Sequence, residues 1–136
     1  MIKKHYWLYV LLLNEDKYYI GITSRREPED RIQEHFNGFY TAQWVRRFGP
    51  KKVLEKLDAG FMTPEEADAK ERKLTLEYIS KYGYKNVRGG DLNYSGDYRK
   101  IGKTLLTERE FTTYISLALM TAGFLAITIM YFLEKY

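Results

Sequence analysis

Residues 7–23, WLYVLLLNEDKYYIGIT, decide the fold of this chain. Residues 8–13 are an unbroken apolar run of strand length, and residues 17–23 are a second short run rich in Tyr and Ile. The polar residues 14–16 between the two runs are typical of a turn. The pattern therefore predicts a β-hairpin that carries tyrosines in both of its strands.

The length of the hairpin loop decides which faces Tyr9 and Tyr19 occupy. A two-residue turn places the two tyrosines on opposite faces of the hairpin. A three-residue loop instead pairs Tyr9 with Gly21, so both tyrosines share a face and the glycine leaves room across from Tyr9. A joint chemical role for the tyrosines requires the three-residue loop, and the residue pattern alone is compatible with both registers.

Helix signals and turn residues divide the rest of the first 90 residues. The patterns predict a helix ending near Gly38, a short helix from 39 to 48, a third strand at 51–57 and a long helix from 64 to 82. The long helix begins with a capping-box pattern at Thr63-Pro64-Glu65-Glu66 and stops at Gly83. We expect an α+β fold in which a small three-stranded antiparallel sheet is flanked by helices.

Glu71 lies on a mostly apolar face of the predicted long helix. Ala67, Leu74 and Tyr78 share this face at helical spacing. A carboxylate turned toward a core is costly unless it is paired or bound to a cation. Glu71 is therefore a candidate metal ligand, and an ion pair with a nearby Arg or Lys is the alternative.

The composition is that of a small folded domain with a basic excess. The chain has 136 residues, is 45% hydrophobic, carries a formal charge of +4 and contains no cysteine. These properties argue against a disordered chain, a disulfide framework and a thiolate metal site. Residues 111–136 hold one Glu and one Lys, so the whole positive excess lies in the first 110 residues.

The C-terminal segment 111–133 contains no charged residue. As a helix it would be about 34 Å long, enough to cross a hydrocarbon core of about 30 Å. We interpret residues 1–90 as a folded domain, 91–110 as a polar linker, 111–133 as a single transmembrane helix and 134–136 as a short tail. The basic residues preceding the helix predict that the folded domain faces the cytoplasm. The small residues Ala118, Ala122 and Ala126, spaced by four, could bring two such helices together as a homodimer.

An ordered set of residues resembles the GIY-YIG nuclease family. The set is Tyr9, Tyr19-Ile20-Gly21, Arg31, His35 four residues later, Glu71 and Asn86. Trp7 stands where the family has the first glycine of its Gly-Ile-Tyr strand. Asn86, before Val87-Arg88-Gly89-Gly90, is similar to an active-site asparagine found in a subset of the family.

The resemblance implies a metal-dependent endonuclease that hydrolyses phosphodiester bonds in DNA, and the predicted transmembrane helix implies that it is tethered to a membrane. Tyr9 would accept a proton from the attacking water, Tyr19 would orient that water, and Arg31 would neutralise phosphate charge. Glu71 would hold one divalent ion, Mg²⁺ or Mn²⁺, and His35 would share proton transfer or hold phosphate. The alternative is a catalytically inactive, membrane-anchored module that binds nucleic acid or protein.

Overall fold

The computed structural model describes residues 2–135, in two compact units divided after Ser95. The first unit contains β1 (Lys4–Leu13), β2 (Tyr18–Thr23), α1 (Pro28–Asn37), α2 (Gln43–Phe48), β3 (Pro50–Met62), α3 (Pro64–Tyr82) and β4 (Val87–Gly89). The second unit contains β5 (Arg99–Ile101), β6 (Thr104–Leu106) and α4 (Glu108–Lys135).

The β1–β2 hairpin has the three-residue loop. The Leu13 N–H donates to the Lys17 carbonyl at 2.7 Å, closing the loop. Both Glu15 and Asp16 take left-handed φ angles, 57° and 51°, which lets the chain reverse within three residues. Tyr9 consequently pairs with Gly21. The register that puts both tyrosines on one face is the one the chain adopts.

The main sheet has four strands in the order β3-β1-β2-β4, so the expected number of three is wrong. The three expected strands pair antiparallel, as predicted. The added strand β4 pairs with β2 in parallel, with Tyr19 opposite Arg88. The sequence of β4 is typical of a glycine-rich turn, because a strand of only three residues has no recognisable pattern of its own. Gly89 is required there, since a Cβ would lie 2.6 Å from Thr75 Oγ1 on α3. The close packing of α3 on β4 explains the glycine.

Helices cover both faces of the sheet. On one face, α1 and α2 pack over the alternate hairpin residues, including Tyr9 and Tyr19, and enclose the buried Trp44. On the other face, α3 packs over Leu8, Val10 and Ile20. Helix α1 ends at Gly38, as predicted, and α3 begins with the predicted capping box. The hairpin is thus the element on which both halves of the core are built.

The short helix α2 begins at Gln43, so the predicted start at residue 39 is wrong, whereas the predicted end at Phe48 is confirmed. Tyr40 interrupts helical geometry because its φ angle is +48°, in the left-handed region. The segment between α1 and α2 is therefore a connecting loop, which contacts α1 through Tyr40 and Thr41.

The second unit differs from a plain linker followed by a helix. Residues expected to form the polar linker include the β5–β6 hairpin, which turns at Gly102. Helix α4 is long and apolar enough to cross a membrane, and none of its apolar segment is buried. Its first turn is capped by Thr107, whose hydroxyl accepts from the Glu110 N–H at 3.3 Å. Of the expected tail, Tyr136 lies outside the described residues.

Candidate active site

Tyr9 and Tyr19 form the floor of the site. Their ring centroids are 6.5 Å apart, and Tyr9 is only 1% exposed. Gly21 makes room for the Tyr9 ring, because a Cβ on Gly21 would lie 2.3 Å from Tyr9 Cζ. Burial raises the pKa of Tyr9 well above its ordinary value and raises the pKa of Tyr19 to about 12. Both phenols are therefore protonated at neutral pH.

His35 connects α1 to this tyrosine pair. The ring is 1% exposed, and its Nε2 lies 2.8 Å from the Tyr9 hydroxyl. Its Nδ1 lies 2.7 Å from the hydroxyl of Thr41 in the loop between α1 and α2. Burial, reinforced by the nearby charge of Arg31, lowers the pKa of His35 to about 4. The imidazole is thus neutral near pH 7 and is shielded from solvent.

Arg31 lies one helical turn before His35, and two hydrogen bonds hold its guanidinium in place. Its Nη1 donates to Glu34 Oε2 and to the Tyr40 carbonyl, both at 2.8 Å. Arg25 also contacts Glu34, at 2.7 Å, so one carboxylate holds two guanidinium groups. Hydrogen bonds from Arg31 and then Arg25 hold the pKa of Glu34 below its usual value. Arg31 also approaches the Tyr9 hydroxyl, where its charge partly offsets the rise in the Tyr9 pKa.

Glu71 approaches the site from α3. Burial raises the pKa of its carboxyl to about 7, although hydrogen bonds from the backbone N–H groups of Gly90 and Ile22 act in the opposite direction. Nearby Asp68 adds to the rise. Within residues 2–135 we find no ion pair for Glu71. The ion-pair alternative raised by the sequence therefore finds no partner among the described residues.

An open cleft of about 570 Å³ joins Glu71 to Tyr19. Asp68, Ala69, Arg72, Gly90, Asp91 and Asn93 also line it. Arg72 forms an ion pair with Asp91 at the edge of this cleft. The cleft is wide enough for a phosphate group and several waters, since one water takes up about 30 Å³.

Asn86 is not among the residues that line the cleft. Its Oδ1 accepts from Lys17 Nζ at 2.7 Å, and its Nδ2 donates to the Tyr82 carbonyl at 2.8 Å. These bonds join the end of α3 to the start of β2. Asn93, which the sequence argument did not single out, is the asparagine that lines the cleft.

Arg88, which follows Asn86 closely, is also unavailable to a phosphate in solution. Its guanidinium carbon lies 4.1 Å from the Trp44 ring centroid, and Arg88 donates to the carbonyls of Tyr84 and Tyr94. The side chain is fully buried. This arginine therefore stabilises the core beneath β4.

Besides Asn93, three residues around Arg31 and His35 were not identified from the sequence: Glu34, Tyr40 and Thr41. Glu34 follows Arg31 by three positions, a spacing that permits an ion pair on a helix and could have identified it. No local pattern marks Tyr40 or Thr41, because their contacts depend on how the loop folds back over α1.

The comparison with known families agrees with this geometry. A family model described as the GIY-YIG catalytic domain matches residues 5–85, which include Tyr9, Tyr19, Arg31, His35 and Glu71. The chain belongs to the GIY-YIG family. No curated protein and no solved structure gave a significant match to the chain. A GIY-YIG catalytic domain indicates a nuclease-type hydrolase, and nucleases of this family are generally dependent on a divalent metal.

Proposed function

We propose that this GIY-YIG protein is a metal-dependent DNA endonuclease tethered to a membrane. The observation that carries the proposal is a grouping of side chains: the Tyr9 and Tyr19 rings lie 6.5 Å apart, and Glu71 shares the open cleft with Tyr19. Arg31 lies one helical turn before His35, which contacts the Tyr9 hydroxyl. Such a set contains a proton acceptor, a cation for phosphate and a carboxylate for a metal. It supports catalysis over the alternative of a purely binding module.

Glu71 fits a divalent cation. Its carboxylate is half-buried, lacks an ion-pair partner among the described residues and carries a raised pKa, so a cation would relieve its cost. Within residues 2–135, no three acidic, His or Cys side chains gather into a metal-binding group. Mg²⁺ keeps several waters when it is bound, so a single carboxylate can hold it, whereas an ion coordinated only by protein atoms would need more ligands. Mn²⁺ is the alternative. When bound, the ion would supply charge neutralisation and acidify a water.

The chain's own residues provide a route for the proton of the attacking water. As the water attacks phosphorus, Tyr9 accepts a proton from it and passes its own hydroxyl proton to His35 Nε2, 2.8 Å away. A concerted transfer avoids a free phenolate, which burial of Tyr9 makes costly. His35 is buried, so a role in this transfer is favoured over holding phosphate. Tyr19 orients the water from the neighbouring position on the same face.

Arg31 meets the charge of the substrate. Its guanidinium can neutralise charge that develops on the pentacoordinate phosphorus, while Glu34 and the Tyr40 carbonyl keep it in place. A bound phosphate also offsets the Arg31 charge that lowers the pKa of His35. Substrate binding would therefore make His35 a better base. The P–O3′ bond breaks, and the leaving oxygen takes a proton from water in the open cleft.

Helix α4 is the proposed anchor. Its apolar segment is exposed and long enough to span a bilayer. Four basic residues, Arg99, Lys100, Lys103 and Arg109, precede the apolar run, whereas Lys135 alone follows it. The positive-inside rule then places the nuclease domain in the cytoplasm. Pairing of two anchors through their alanine face stays a prediction.

The test of this proposal is cleavage of DNA by the purified full-length chain in detergent micelles. Supercoiled, linear and branched DNA would each be incubated with Mg²⁺, with Mn²⁺ and with EDTA. We expect cleavage of at least one substrate with a divalent ion and none with EDTA. Tight binding of DNA without cleavage under every condition would favour the inactive binding module instead.

A further inference from the structure

A buried chain of hydrogen bonds links Thr41, His35 and Tyr9. The Thr41 hydroxyl lies 2.7 Å from His35 Nδ1, and His35 Nε2 lies 2.8 Å from the Tyr9 hydroxyl. All three side chains are buried, so bulk water does not compete for these bonds. The two imidazole nitrogens and the Tyr9 O–H therefore depend on these two bonds for their partners.

The protonation states fix the direction of the two bonds. Tyr9 is protonated, because burial raises its pKa, and its buried O–H needs an acceptor, which His35 Nε2 provides. A neutral imidazole can accept at Nε2 only when its proton is on Nδ1. That Nδ1–H then donates to Thr41 Oγ1. The bonds thus run from Tyr9 to His35 and from His35 to Thr41.

We propose that Thr41 is a positioning residue that holds His35 in the Nδ1–H tautomer and so keeps Nε2 available as a proton acceptor for Tyr9. Without the Thr41 hydroxyl, the Nδ1–H tautomer would leave a buried donor unsatisfied, which is costly. Moving the proton to Nε2 lets the imidazole donate to the Tyr9 oxygen instead, at the cost of turning the Tyr9 O–H away from His35. The bond to Tyr9 is then reversed, and His35 can no longer receive the Tyr9 proton.

The backbone of Tyr40 holds Thr41 in place. Its φ angle of 48° is rare for an aromatic residue, and its carbonyl accepts from Arg31 Nη1 at 2.8 Å. The loop is thereby fixed to α1 at two points one helical turn apart, through Arg31 and through His35. This double attachment explains why an exposed loop can define the orientation of a buried imidazole.

The tautomer can be measured directly by ¹⁵N NMR of histidine in the full-length chain in detergent micelles. The chain has two histidines, and His5, paired with Asp58, serves as an internal reference. We expect the Nδ1–H pattern for His35 in the wild type and in Thr41→Ser, which keeps the hydroxyl. In Thr41→Val and Thr41→Ala, the Nε2–H pattern should dominate while the His5 signals stay unchanged. An unchanged His35 tautomer in both variants would overturn the proposal.

Kinetics supply the second readout, which rests on the proposed nuclease function. Thr41→Val should lower kcat on DNA at least tenfold with little change in KM, because general acid–base catalysis contributes roughly 10² to 10⁴. Thr41→Ser should restore most of the loss. Equal kcat in Thr41→Val and the wild type, or no rescue by Thr41→Ser, would contradict the proposal. If the wild-type chain cleaves no DNA, the nuclease function fails, and the NMR result still decides the role of Thr41.

Discussion

Replacing Glu71 with glutamine should stabilise the first unit in metal-free buffer at pH 8. Glu71 is half-buried, and its pKa in the folded chain is raised to about 7, chiefly by burial. A group whose pKa is raised on folding favours the folded state when protonated. This contribution is complete below the unfolded pKa, near 4.5, and is lost as the pH rises through 7. The wild type therefore bears the full cost of the carboxylate at pH 8.

The raised pKa sets the size of the effect. A change from 4.5 to about 7 corresponds to at most about 3.5 kcal/mol of unfolding free energy, at about 1.4 kcal/mol for each pH unit. Because water in the open cleft still reaches the carboxylate, we expect the Glu71→Gln variant to gain about 1 to 2 kcal/mol. Mg²⁺ at ten times its Kd should raise the unfolding free energy of the wild type by about 1.4 kcal/mol and leave that of the variant unchanged.

Urea unfolding of the full-length chain in detergent micelles, followed by tryptophan fluorescence, measures this difference. Both tryptophans, Trp7 and Trp44, lie in the first unit, so the signal reports that unit alone. Glu77→Gln, at an exposed position of the same helix, is the matched control and should change little. The reasoning is refuted if Glu71→Gln destabilises the chain at pH 8 or if the difference does not shrink at pH 5.

Three further predictions concern Tyr9, Arg31 and the anchor. Gly21→Ala should destabilise the first unit by about 1 to 3 kcal/mol, because the added Cβ collides with the Tyr9 ring. The variant should also lose more DNA cleavage than DNA binding. Wild-type values in urea unfolding and in cleavage assays would contradict this prediction. Arg31→Ala should lower kcat by about 10² to 10³ if the guanidinium meets transition-state charge, measured by single-turnover cleavage, and a loss confined to KM would indicate uniform binding instead. The full-length chain should sediment with membranes and be released only by detergent; recovery in the soluble fraction would refute the anchor, and digestion of residues 1–95 by protease added outside sealed cells would reverse its direction.

Local patterns predicted the elements that are long and strongly signalled. The capping box at the start of α3, the end of α1 at Gly38 and the hairpin strands all follow from short stretches of sequence. The register of the hairpin was left open, since it depends on two non-glycine residues, Glu15 and Asp16, adopting left-handed φ angles. Such conformations are uncommon, and composition alone does not identify them.

Features that depend on distant contacts could not be predicted in the same way. Strand β4 has three residues and exists because it pairs with β2, so its own sequence carries no strand signal. The Arg31 and His35 pair was identified by family resemblance, but burial of His35 and its bond to Thr41 arise only when the loop after α1 folds back against that helix. The rise in the Tyr9 pKa also depends on tertiary packing, because the effect of burial outweighs that of the Arg31 charge.

Nicking of supercoiled DNA by single-residue variants tests the central claim most directly. Tyr9→Phe removes one oxygen from the proposed site, and Glu71→Gln removes one charge. The matched controls are Tyr18→Phe, on the opposite face of the hairpin, and Glu77→Gln. With Mg²⁺, we expect the wild type and both controls to nick DNA and both site variants to lose the activity while retaining the wild-type fluorescence spectrum. Full nicking by Tyr9→Phe or by Glu71→Gln would contradict the proposed site.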